Sequence, residues 1–211
     1  MTGFLIAIAV LNLALVAGEM IAGHRRRAPR RALERTKPTA IASLQQGDLT
    51  RITGVIAPRA PTLMSAVGKE SCIGYSTAVE SATGGGEWRP VLNAAACASF
   101  FVTDESGTAV VDGNIVIAPH PDSGWGTAPA SLLPRTDDGR SLASRAPTLQ
   151  QRTRYREILL KPGDRVSVLG RAKMEIDPAG RASFRDPPML NHITGSEDAP
   201  VIVAHDKMTS S

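Results

Sequence analysis

The run GFLIAIAVLNLALVAGEMIAG, Gly3 to Gly23, limits what this chain can become more than any other stretch, because only Asn12 interrupts its first sixteen apolar or small positions. A helix rises about 1.5 Å per residue, so about twenty such residues cover the ~30 Å hydrocarbon core of a bilayer. A helix buried inside a globular domain normally keeps a polar face, and this run has none. Residues 1–23 are therefore expected to form a transmembrane anchor. The opening MTGF has no charged side chain and the arginines follow the apolar run, the reverse of a cleavable leader. By the positive-inside rule Arg25, Arg26, Arg27, Arg30 and Arg31 stay in the cytoplasm, which predicts a single-pass protein with a cytoplasmic C-terminal domain. Glu19, near the arginine end, is expected at the interface.

Charge sorts the rest of the chain. Residues 25–37 hold seven Arg or Lys against Glu34, a net of +6, whereas residues 38–211 hold 17 basic and 18 acidic residues. The basicity thus belongs to a juxtamembrane segment, 24–37, suited to anionic headgroups. The remainder is expected to be a domain over 38–206 with a short tail, 207–211.

Its pattern is β. KPTAIASLQQGD predicts a short helix, with Thr39 as N-cap, Ile41 and Leu44 on one face and Gly47 at the end. TRITGVIAP predicts a strand in which Gly54 marks a bulge or a close backbone approach. In SCIGYSTAVE, alternation places Ile73, Tyr75, Thr77 and Val79 on one face and the small Cys72, Gly74, Ser76 and Ala78 on the other. FFVTDESGTAVV predicts a hairpin, with Gly107 supplying a positive φ in the turn, and SATGGGEW a flexible hairpin tip. LLKPGDRVSVLGRAKM predicts a turn at Pro162-Gly163-Asp164 followed by a half-buried strand. The Gly-, Pro- and Ser-rich residues 120–155 are too long for an ordinary connection and predict a surface insertion. Together these elements predict a mainly β fold, a small OB-like β-barrel with a long inserted loop.

In order along the chain, Gly54, Cys72, Tyr75, Trp88, Phe101 with Asp104, Gly107 and Val110, then Tyr155, Glu157, Gly163, Asp164 and Gly170 resemble the GIDE domain. Also called BAM, this is the membrane-adjacent module of the mitochondrial ubiquitin ligase activator family. The resemblance implies structural roles for these residues. Family members that ligate ubiquitin add a second membrane helix and a RING finger, which needs about eight Cys and His ligands. With Cys72 and Cys97 the only cysteines, those ligands are not in this sequence, and the ligase role has no residue to rest on. An accessory role beside a ubiquitin-type transferase is the enzymatic alternative.

Individual residues point the same way. Cys72 has no nearby His and a small, uncharged strand face, so it reads as a packed thiol. His24, His120, His192 and His205 form no metal-binding or catalytic spacing, and no cofactor, metal or catalytic group is expected. OB-type barrels bind nucleic acid through basic grooves and stacked aromatics, but this body is neutral and the chain has 4% aromatics. A protein partner is the better expectation, with nucleic acid or an anionic ligand as the weaker one. Candidate contact residues are Trp125, Leu132 and Leu133, the apolar anchors of the insertion, and any exposed sheet edge.

Overall fold

The computed structural model describes residues 29–83, 85–119, 123–127, 153–177 and 189–206. The expected anchor, most of the insertion with Leu132 and Leu133, and the tail lie outside the described residues. Among the described residues no helix is long and apolar enough to cross a membrane.

The molecule is mainly β and centres on a closed five-stranded barrel. Its strands are β1 (Leu49–Pro58), β6 (Phe100–Thr103), β7 (Thr108–Gly113), β11 (Arg165–Ile176) and β12 (Met189–Gly195). Around the barrel the order is β1-β6-β7-β12-β11, and β11 closes back onto β1. Every pairing is antiparallel except β7 with β12. Closure depends on two glycines at tight crossings. A Cβ on Gly54 would stand 2.4 Å from the carbonyl oxygen of Thr103, and one on Gly170 would stand 2.5 Å from Ile193. The close approach expected at Gly54 is thus a strand-to-strand contact of β1 with β6.

Alternation along β1 turns Ile52 and Ile56 inward, where they meet Phe100, Val102, Val111, Val168 and Ile193. Each of these side chains is fully or almost fully buried, and burial of one stabilises by about 1.5–3 kcal/mol. The residues expected to form a helix make a single 3₁₀ turn, Ile41–Ser43, whose N-cap residue is Ala40 with no side-chain cap. Asp104, remote in sequence, accepts a hydrogen bond from the Ile41 N–H at 3.0 Å instead. Ile41 and Leu44 join the barrel core, as their shared face predicts.

β11 departs from the half-buried expectation, since all of Val166 to Gly170 is buried. Its second face is covered by residues 29–35, which are helical and bring Leu33 against Leu169, Ala118 and Ala204. Arg51 ties this helix down by donating to the Leu33 and Thr36 carbonyls at 3.2 and 3.4 Å. Part of the basic segment is therefore packed on the domain. β13 (Val201–His205) extends the sheet beside β11, and β8 (Ile115–Ile117) lies parallel to β13.

A second sheet of four strands is built from the chain between barrel strands, in the order β5-β4-β10-β9. These are β4 (Gly74–Ala82), β5 (Trp88–Cys97), β9 (Gly126–Thr127) and β10 (Thr153–Leu160). A two-stranded piece, β2 (Leu63–Met64) with β3 (Ser71–Cys72), sits beside it. The alternation expected through Cys72 is broken at Ile73, which leaves strand geometry to enter the core. The ends of the insertion are themselves strand: β9 pairs with Arg154 and Tyr155 of β10.

Candidate functional site

Most residues of the sequence motif hold turns and crossings. Gly163 has φ +90° and allows Asp164 to accept from the Lys161 N–H at 2.7 Å, as the turn predicts. Gly107 is outside the positive-φ set. The Asp104 carboxylate organises that turn instead, accepting from the N–H groups of Ser106 and Gly107 at 2.7 and 2.9 Å. Burial pushes the Asp104 carboxyl up, but the Ser106 hydroxyl, donating to it at 2.6 Å, together with these bonds and that from Ile41, outweighs burial and leaves it below the usual carboxylate range.

Glu157, like Asp104, accepts four hydrogen bonds. It accepts from the N–H groups of Val67 and Gly68, both at 2.9 Å, and from the hydroxyls of Thr77 at 2.8 Å and Ser65 at 3.2 Å. Burial would raise this carboxyl, yet the four bonds together hold it low. It pins the 65–68 loop to the second sheet, a structural task.

Cys72 is fully buried, with its thiol 3.7 Å from the Leu63 carbonyl. Burial first, then the Glu157 carboxylate, pushes its pKa upward. Cys97 is pushed up to about 12 by burial and by Cys72. Both thiols stay protonated at neutral pH, the opposite of an activated nucleophile.

His192 is buried between two carboxylates. Its Nδ1 is 3.1 Å from Asp112 and its Nε2 3.7 Å from Glu175. This joins β12 to β7 and β11, a convergence set by the strand register and invisible in the spacing of the histidines. Among the described residues no group of His, Cys, Asp or Glu could hold a metal ion.

Of the exposed large hydrophobic side chains, Trp88, Val91 and Leu92 lie on the second sheet, whereas Leu49, Val55, Met174, Ile176 and Met189 lie on barrel strands and Met64 on β2. Trp88 on β5 and Trp125 beside β9 stack on either side of Arg154, whose guanidinium lies 4.1 and 4.3 Å from their ring centroids. Arg154 also donates to buried Glu80 at 2.7 and 3.0 Å, and Arg156 approaches Trp125 at 4.9 Å. Trp125 thus fastens the start of the insertion to the sheet. Tyr75 is half-buried on β4.

Beyond Trp88, β5 is the edge strand. It pairs only with β4 among the described residues, and Trp88 through Asn93 are exposed. From Pro90 to Cys97 it has no charged residue. The small face anticipated for the sequence around Ser76 and Ala78 lines a half-open cleft of about 350 Å³ between this sheet and Val116–Pro119, with Pro29 at its rim.

No family model matches the chain, and no curated protein or solved structure matches it either.

Proposed function

We propose that this is a single-pass, membrane-anchored module of the GIDE type, without enzymatic activity of its own, that presents a protein-contact surface at the cytoplasmic face. The barrel supports the OB-like part of this description. In chain order its strands β1, β6, β7, β11 and β12 are arranged first-second-third-fifth-fourth, with the parallel pair between third and fifth, a five-stranded Greek-key closure. The neutral charge of residues 38–211 favours a protein over nucleic acid.

What carries the function is the β5 edge. Natural edges are normally short, charged or covered, whereas this strand is ten residues long and shows Val91 and Leu92 at 41% and 39% exposure. Arg89 and Pro90 block one end and the pairing is irregular at Val91, so the regular edge runs from Leu92 to Cys97. An extended segment of a partner protein can add there as a further strand, gaining main-chain hydrogen bonds from an edge that no other described strand pairs with.

The test replaces Val91 and Leu92 with Lys, a charge pair that blunts an edge without touching the core. Partners crosslinked in native membranes should be lost while the melting temperature is unchanged and a C-terminal reporter active only after export stays silent. An unchanged partner set would reject the edge, and an active reporter would reject the topology.

A further inference from the structure

We infer that the cleft beneath the second sheet is the side-chain pocket of the β5 edge, and that a strand added to that edge carries a tyrosine, opposite Ala95, into it. This rests on the strand addition proposed above. The register places the cleft. Three cross-strand rows run inward from the edge on the sheet face turned to the barrel: Cys97, Gly74 and Leu160, then Ala95, Ser76 and Ile158, then Asn93, Ala78 and Arg156. The first row is closed, since Leu160 is fully buried in the barrel core and Cys97 packs on the same cluster. The other two rows line the cleft, across from Val116, Ile117 and Ala118. Their residues nearest the edge on β5 and β4 include the small Ala95, Ser76 and Ala78, so the sheet leaves that space unfilled right up to its edge strand.

A strand added beyond β5 continues each row by one residue. Opposite residues on neighbouring strands have Cβ atoms ~4.5–5.5 Å apart, so the partner side chain opposite Ala95 starts beside that methyl and can lie over it toward Ser76. In strand addition the main-chain bonds give affinity and such pockets give specificity. The mixed lining selects what enters. Ala78, Ala95, Val116, Ala118 and Ile158 are apolar, while Ser76 and Asn93 set hydrogen-bonding groups among them. Thr77, also in the lining, gives its hydroxyl to Glu157. An aliphatic side chain would leave the polar groups facing hydrocarbon, and a charged one would give up its hydration to apolar walls. Tyrosine joins an apolar ring to a hydroxyl that both donates and accepts. A cavity of ~150 Å³ already holds benzene. At about 350 Å³ the cleft therefore admits a tyrosine ring with its hydroxyl.

The probe is a phage library of random nonapeptides selected on immobilised full-length protein, with the bare support as control. Recovered peptides should share a tyrosine. In the tightest of them, replacing that tyrosine with alanine should weaken binding at least about tenfold, and with phenylalanine about threefold. With benzoylphenylalanine at that position, illumination should give crosslinks within 76–78 or 116–119. Ala95→Leu fills the row from an exposed position and should weaken binding at least about tenfold, while Val91→Lys with Leu92→Lys should abolish it. Should Ala95→Leu lower the melting temperature, the crosslink and the peptide substitutions decide alone. Three results overturn the inference and leave the edge standing: peptides that the lysine pair abolishes yet share no tyrosine, that crosslink only within 88–92, or that bind a stable Ala95→Leu variant with full affinity. Peptides indifferent to the lysine pair overturn the edge and this inference with it, as does a selection that enriches nothing over the support.

Discussion

A carboxylate that accepts four hydrogen bonds has a measurable signature in acid. Glu157 is held low in the folded protein because the bonds from Val67, Gly68, Thr77 and Ser65 outweigh the opposing effect of burial. A carboxyl depressed on folding contributes stability that is fully present above its unfolded value, about 4.3. That contribution is lost as pH falls through the folded value. Glu157→Gln removes this contribution and leaves two loop N–H groups with a poorer acceptor. Its stability at neutral pH should fall by about 1–3 kcal/mol, and the gap to wild type should narrow as urea midpoints are followed downward below about pH 4.3. A constant gap across the acid range would show that the ionised form is not what holds the loop. Asp104 is depressed in the same direction, so an acid limb should persist in the variant. At this scale the sequence was partly legible. The turn at Gly163 followed from Pro-Gly-Asp, whereas Gly107 was credited with a φ that Asp104 makes unnecessary, because an Asx turn uses the side chain where a glycine would use its backbone.

Among the elements, the strands were legible because alternation and turn residues are local signals, and β1, β6, β7 and β11 all lie where the pattern puts them. The helix over 29–35 was not. It offers Leu33, with half-buried Ala32 beside it, to the core cluster that it joins, too little for a 3.6-residue stripe, and its basic residues read equally well as headgroup ligands. Its place is secured by tertiary contact: Arg51 donates to the Leu33 carbonyl within it, to the Thr36 carbonyl just past its end, and to Ser167 at 2.9 Å. Arg51→Met should keep the hydrophobic stem and lose those bonds, costing about 1–3 kcal/mol. Amide exchange over residues 30–36 should accelerate far more than in the barrel strands. Equal acceleration everywhere would mean that Arg51 supports the whole fold and not the docking of this helix.

For the whole molecule, closure of the barrel could be anticipated from the number and spacing of its strands, but the second sheet could not. β4 and β10 pair across more than seventy residues, and no local pattern encodes a partner that distant. The same distance separates what the insertion contributes to the fold from what it is free to do. Its described ends are bound to the sheet: Gly126 and Thr127 pair with β10, and Trp125 stacks on Arg154 and Arg156. Residues 128–152, with Leu132 and Leu133, join these ends. Closing a loop costs free energy only logarithmically in its length, so replacing 128–152 with a short Gly/Ser link that still spans from Thr127 to Thr153 should leave the melting temperature nearly unchanged. Trp125→Ala should act differently. It removes one ring from the Trp88–Arg154–Trp125 stack, where each cation–π contact is worth ~0.5–2 kcal/mol, and leaves Arg154 bound to Glu80. The tryptophan variant should therefore lose stability where the loop replacement does not. If partner binding resides in the β5 edge, both variants should retain the partners that the Val91 and Leu92 lysine variant loses. Loss of partners on loop replacement alone, in protein of unchanged melting temperature, would move the contact surface from the edge to Leu132 and Leu133.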